Sequence, residues 1–444
     1  MRQKSLLLFA LAILLPTTIR AEVWQDPETY VNYEYTLGSV EACVKAGTSS
    51  VQAGSPNISG NITILSKFTV DGNEYTVTSI GEYAFSNSWM TGVNIPTSIT
   101  TINEYAFSQC HDLTNLDIPS SVTSIGKGAF AYCSNLTSIA LPSGLTNISE
   151  SLFAQCIKLT SIDVPSSVTT IERMAFDNCA GLNSVIIPNS VATISEGAFS
   201  GCISLTEITL PSSMTIIDKN VFSGCSNLTT VTIPSGVTSI GNGAFQYCTN
   251  LTSITIPSGV TTIGDSAFME CQKLTDIDLP SSVTSIGIWA FMKCSSLKDF
   301  IIPSGVNTIK GLTFWNCTSL TSVTIPSGVT AIENKAFEGC SNLNSVISLI
   351  KEPFTIAYDV FGKSTYDNAT LFVPAGTIDA YNNTLSWSYF NNIQEMDPSG
   401  IATPAIEADH TRHIYDMQGR QLQQPRHGIY IIKNKNGKTI KVAR

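Results

Sequence analysis

Charged residues are scarce in this chain of 444, at 13% of the total, roughly half the usual share. Histidine is scarcer. There are four, His111, His410, His413 and His427, and three fall in the last 35 positions. A histidine-based metal or catalytic centre in the body of the protein is thereby nearly excluded. Lys and Arg number 24 against 34 Asp and Glu, a net charge of −10. A nucleic-acid partner would need a basic face, which this balance disfavours. Enzyme signatures are missing too: no P-loop, G-x-G-x-x-G, G-x-S-x-G or H-E-x-x-H occurs. Beyond residue 15 no apolar run approaches the ~20 residues needed to cross a bilayer. What is present is apolar content of 43%, enough for a core and too much for wholesale disorder.

The two ends read as addresses. Met1–Ala21 has a basic start (Arg2, Lys4), ten apolar residues (Leu6–Leu15) and a small residue at its end. That is the pattern of a secretory signal peptide. Ten residues are too few for a membrane anchor, and no Cys follows to carry a lipid. The mature chain is therefore expected to be exported, at the cell surface or extracellular, and not integral to a membrane. Residues 400–444 carry eight Lys/Arg and three Asp/Glu, a net of +5, whereas the preceding 399 residues carry 16 and 31, a net of −15. Residues 396–404 (MDPSGIATP) read as a linker. Three strand-like runs follow, His413–Met417, Gly428–Lys433 and Thr439–Val442, with Gly419 and Asn436-Gly437 as turns.

Between the ends one unit is written many times. Phe recurs every 23 residues from Phe107 to Phe337, preceded by Phe85, and Pro keeps the same beat from Pro96 to Pro326. Residues 251–271, LTSITIPSGVTTIGDSAFMEC, represent the unit. Leu251, Ile254 and Ile256 end in the alternation of a short strand with one buried face. Pro257 and Gly259 supply a turn. Val260 and Ile263 are three apart as the chain bends away, and Ala267, Phe268 and Cys271 suit a single inward helical turn. No unit can bury these groups alone. Stacking sets Leu over Leu and Phe over Phe to make a continuous core. The expected fold is an α/β solenoid of about eleven 23-residue units with a parallel β-sheet on one face. At ~4.8 Å per rung it would run roughly 50 Å.

Eleven of the twelve cysteines follow a repeat Phe by three residues, from Cys110 to Cys340; Cys43 stands apart. Stacked cysteines point the same way, whereas a disulfide needs Cβ atoms facing each other at ~3.8 Å. An odd ladder would also strand one thiol. Buried free thiols are therefore expected. Nothing places four of them around a point as a metal site requires, so neither metal nor cofactor is expected. The pairing of Cys43 is left open.

The recurring F-x-x-C-x-x-L-T-S-I-x-I-P-S-G-V-T-S-I-G pattern resembles the BspA-like leucine-rich repeats of bacterial surface proteins, over about Ser66–Phe390. Residues 68–77, FTVDGNEYTV, resemble the hairpin that opens such arrays. Residues 371–381 (LFVPAGTIDAY), with Trp387 and Phe390, resemble the closing cap. The tail is similar to C-terminal sorting modules of type IX secretion in Bacteroidota. The domain plan is then signal peptide 1–21, N-terminal β cap 22–79, leucine-rich-repeat solenoid 80–343, C-terminal cap 344–395, linker 396–404 and small β sorting module 405–444. The resemblance implies a cell-surface or released binding protein, sometimes an adhesin, with no enzyme activity. The implied partner is a host or bacterial surface protein or a glycan, and a monomer is expected rather than an obligate oligomer.

Binding must then live where the repeats differ. On the strand face half of the residues five and seven after the Cys are Ser or Thr, and Asp276, Asp278 and Asp299 gather three carboxylates within about two units. They read as a docking spot for a basic partner or Ca²⁺, or as a solvated edge that discourages sheet stacking. The residue after the repeat Phe is usually small or polar, yet becomes Met269, Met292 and Trp315 in three consecutive units, with Trp289 near them. Such a stripe reads as an interface or as local packing. His111 follows the ladder Cys, where other units hold Ser, Thr, Ala, Ile or Gln, and is expected on the surface. Asp265-Ser266-Ala267 resembles a Bacteroidota O-glycosylation acceptor, although Ala267 is explained by the repeat. A spacer without a ligand is the alternative to a binding protein, but a spacer has no reason to cluster its departures.

Overall fold

The structure is a computed structural model that describes residues 21–37, 39–45 and 58–396, and the backbone of strands His413–Tyr415, Gln421–Leu422, Ile429–Lys433 and Thr439–Ala443. The expected signal segment up to residue 20 and the linker beyond Met396 lie outside the described residues.

The repeats stack as a parallel solenoid. Each strand lies beside the strand 23 residues on: Thr230 faces Ser253, Val231 faces Ile254 and Thr232 faces Thr255. A second ladder runs along the V-x-x-I segment, with Ser239 beside Thr262 and Ile240 beside Ile263. Two strand ladders therefore climb the molecule, where one sheet was expected. The middle residue of each three-residue strand points inward. Ile254 is buried, with Ser253 and Thr255 exposed. Pro257 closes the turn between the ladders, its carbonyl accepting from Val260 N–H at 3.0 Å.

The Phe-bearing segment corrects a local expectation, because it is not a helical turn. Residues two before and two after the Phe take positive φ, such as Ser266 (54°) and Glu270 (61°). Left-handed residues at both places break any helix. The amides alternate instead. Ala267, Met269 and Cys271 donate within the rung to Gly264, Ser266 and Phe268 at 3.0–3.3 Å. Ser266, Phe268 and Glu270 donate to Ile288, Ala290 and Met292 of the next rung at 2.8–2.9 Å. The third side of the solenoid is thus hydrogen-bonded between rungs as well. Helix is confined to the C-terminal cap among the described residues, at Lys363–Asn368 and Ile378–Asn382 with a 3-10 turn at Trp387–Tyr389.

The core is a set of columns. Phe rings stack from Phe85 to Phe361 at centroid spacings of 5.1–6.0 Å, and Phe, Cys and Leu of each unit are essentially inaccessible. The ends of the columns are closed by aromatics. At the N-terminal side, strands Ala21–Gln25, Asn32–Thr36 and Glu41–Lys45 run antiparallel and join Asn73–Ile80. Lys67–Val70 pairs antiparallel with Asn73–Ile80 through Asp71 and Gly72, both at positive φ, as a two-residue hairpin of this kind requires. Trp24, Tyr33, Tyr35, Phe68 and Tyr75 pack beneath this sheet. At the far end Trp387 and Phe390 meet Phe361 at 6.1 and 5.3 Å, and Trp387 Nε1 donates to Phe354 O at 2.9 Å. The tail strands form a four-stranded antiparallel sheet in which Gln421–Leu422 is a member beyond the three expected runs.

Candidate functional site

Thiol chemistry can be set aside first. Every ladder Cys is buried and free. Its Sγ donates to the carbonyl of the Phe one rung earlier, as Cys271 does to Phe245 at 3.2 Å. Burial pushes the thiols of Cys110, Cys156 and Cys225 up to about 12, so they are neither nucleophiles nor ready ligands. Cys43 is also free and half-buried, near Glu34. No cluster of three His, Cys, Asp or Glu able to hold a metal occurs among the described residues. His111 is exposed and its Nδ1 lies 3.3 Å from Ser134 Oγ.

The acidic residues do reach the strand face. Asp276, Asp278 and Asp299 are all exposed. Asp276 makes only an isolated bridge with Ser253, and the ladder resumes at Asp299–Ile301. Asp276 and Asp299 occupy the same column one rung apart, and like charges directly opposite destabilise pairing. Asp299 Oδ1 accepts from Thr321 Oγ1 at 3.0 Å. The three carboxylates do not form an ion-holding group.

The Met269, Met292 and Trp315 column is half-buried, and Trp289 is 40% exposed. Their backbone is fixed by the ladder: Tyr247 N–H donates to Met269 O and Lys293 N–H to Trp315 O, at 2.8 and 2.7 Å. Beside the stripe Lys293 Nζ pairs with Glu270 Oε1 at 2.5 Å, and Gln272 Nε2 donates to Glu270 Oε2 at 3.0 Å. Burial raises the Glu270 pKa, but its bonds to Lys293 and Gln272 outweigh that and hold it below the usual value. An apolar strip with a paired polar rim has the make-up of a contact surface.

Sequence reasoning missed a third place. At the N-terminal end of the strand face a groove of ≈ 410 Å³ opens among Asn61, Thr91, Asn94, Asn115 and Asp117. Strand Ser59–Thr63 lies parallel to Trp89–Asn94 with a register shift that leaves Thr91 unpaired between Met90 and Gly92. Such a bulge re-aims side chains. Gly92 fills the column position that holds Asn61 on one side and Asn115 on the other. A Cβ there would sit 3.0 Å from Asn61 Oδ1. The available signal was Gly92 itself, in a column otherwise built of residues with side chains.

A BspA type leucine-rich repeat region matches residues 61–183, 170–287 and 261–388, in six copies. The chain belongs to the BspA-type leucine-rich-repeat family. Solved structures agree. A leucine-rich cell surface protein of Faecalibacterium prausnitzii shares 30% identity at a TM-score of 0.54, over 74% of this chain and 94% of that one. A leucine-rich repeat protein of Bacteroides ovatus shares 27% at 0.53, over 71% and 92%. The pneumococcal vaccine antigen PcpA, at 19% and 0.51 over 85% and 99%, shares the fold. No curated protein sequence matches the chain. BspA-type repeats account for the ladder columns. The stripe, the acidic spot and the groove are places where units of this chain depart from its own repeat pattern. No helix among the described residues is long and apolar enough to cross a membrane.

Proposed function

We propose that this protein is a non-enzymatic binding protein displayed at a bacterial cell surface or released from it, and that it takes a partner protein on the rungs near Cys271–Cys317. The observation that supports this most is the half-buried Met269, Met292 and Trp315 column beside exposed Trp289, rimmed by the Glu270–Lys293 pair. Three such residues in succession interrupt a column that elsewhere holds Ser, Ala, Asp, Gln or Glu. Desolvating Trp and Met at a contact contributes ~2 kcal/mol or more per anchor. Asp276, Asp278 and Asp299 lie on a different face and would tune rate and salt dependence toward a basic partner. Export rests on the N-terminal segment and on the basic tail of residues 405–444, which would act as a sorting module. A ligand-free spacer is the second reading.

The test is titration of the mature chain against purified extracellular-matrix proteins and a glycan array. Saturable binding that weakens in Trp315→Ala supports the stripe. A folded chain that binds nothing on either panel supports the spacer.

A further inference from the structure

We infer that the groove over Gly92 is a carbohydrate site that seats one pyranose ring of a neutral glycan. The proposal rests on the reading of this chain as a surface binding protein and deepens it.

The groove has a structural cause. Side chains on the outer strand face form columns, and consecutive members stand one strand spacing apart, ~4.8 Å. Gly92 removes one member, Asn61 leans toward the vacated place with its Oδ1 3.0 Å from where a Gly92 Cβ would sit, and the opening lies between Asn61 and Asn115. The unpaired Thr91 adds its hydroxyl at the rim. The floor is the backbone of Gly92 above the buried Val93 and Leu116. The volume of ≈ 410 Å³ falls within the ~300–1,000 Å³ of small-ligand sites.

The lining chemistry selects the ligand. Asn61, Asn94, Asn115, Thr91 and Asp117 are all exposed. Asn94 Nδ2 donates to Thr63 Oγ1 at 3.0 Å, which fixes its orientation. The side chains of Asn61, Asn115 and Asp117 make no hydrogen bond among the described residues. Each carboxamide both donates and accepts, and the carboxylate accepts from two directions. Vicinal sugar hydroxyls, each a donor and an acceptor, meet such a set in pairs. A single carboxylate with no cation among the lining residues disfavours an anionic ligand. The only apolar side chains lining the groove are Val93, Ile95 and Leu116, of which Val93 and Leu116 are buried. An apolar peptide anchor therefore has little to enter. Trp89 begins the same strand, two residues before Thr91, and is 63% exposed. Trp89 lies outside the groove lining, but it and Thr91 are both exposed, which leaves an aromatic side chain near the start of the strand for an adjoining sugar to stack on.

The experiment is saturation-transfer NMR and calorimetry of the mature chain with neutral hexoses, N-acetylhexosamines and their short oligomers. Saturable binding of at least one is expected. Gly92→Ser, which restores the side chain most rungs carry and should leave folding intact, is expected to weaken it tenfold or more. Asp117→Ala should weaken it similarly, and Trp89→Ala should weaken oligomers more than monosaccharides. Trp315→Ala should leave it unchanged. No saturable sugar, a Gly92→Ser variant that binds as well as the parent, or an extended peptide taking the groove in place of sugar would overturn the assignment. If sugars fail while a protein partner still binds in a Trp315-dependent way, only the groove proposal falls. If sugars bind and no protein does, the stripe falls and the groove stands.

Discussion

Cys271 Sγ donates to Phe245 O, 3.2 Å away and one rung earlier, and the same oxygen takes the N–H of Cys248 at 3.1 Å. The F-x-x-C spacing therefore has a hydrogen-bonding cause as well as a packing one. The amide of each Cys closes a turn onto its own Phe, while its thiol reaches back to the Phe before. The arrangement recurs from Cys110 on Phe85 to Cys340 on Phe314.

A thiol used this way should stay a thiol. Alkylation after denaturation without reductant is expected to modify all eleven ladder cysteines, while the folded chain resists the reagent. Bridges between neighbouring rungs, seen by mass spectrometry, would contradict the ladder.

The same burial makes stability depend on alkali. Thiols raised from 9.0 to about 12, as at Cys110, Cys156 and Cys225, remain protonated in the folded chain when the unfolded chain has lost those protons. Stability from this source is complete below pH 9 and is lost as pH rises toward 12. Denaturant midpoints should fall across that window. Cys225→Ala should flatten the fall by ~1.4 kcal/mol per pH unit. An identical slope in parent and variant would show that the thiol ionises in the fold.

Phe222 lies between Phe199 and Phe245 at 6.0 and 5.5 Å and is inaccessible. Phe222→Ala should cost about 3–5 kcal/mol. The loss should spread from that rung, because solenoid contacts are nearest-neighbour. Hydrogen exchange would show fastest opening around residues 199–245. Uniform protection with a loss under ~1 kcal/mol would place the ring outside the core.

Gly224 adopts φ +74°, in a column that holds Asn178 and Asn316 at similar φ. A Cβ there would meet nothing closer than 3.6 Å, so the backbone and not space sets the cost. Gly224→Asn should be tolerated, and Gly224→Val should lose at least ~1 kcal/mol more, since a β-branched residue resists the left-handed region. Equal thermal stability of the two variants would refute a backbone origin.

Much of this architecture is legible in the sequence because the repeat turns a three-dimensional problem into a one-dimensional one. Leu251, Ile254, Phe268 and Cys271 each find their neighbours by adding or subtracting 23. The turn at Ser266–Glu270 was not legible. Ala-Phe-x-x-Cys has helical spacing, and nothing about Ser266 or Glu270 announces positive φ until the amides must pair with the next rung. The groove was illegible for the opposite reason. It is made by a missing side chain at Gly92 and a bulge at Thr91, where searches for chemistry look for residues that are present. Met269, Met292 and Trp315 could be picked out because they break a column, but their half-burial required the structure.

The most direct test of a binding role is the affinity of the mature chain for a matrix protein that saturates it, measured in parallel on the parent and on Trp315→Ala. Loss of that ring should weaken the complex by about 2 kcal/mol, roughly 30-fold. Asp276→Ser with Asp278→Ser should mainly change the salt dependence. A complex whose affinity and salt response are unchanged in both variants would contradict the assignment of the contact to the rungs near Cys271–Cys317.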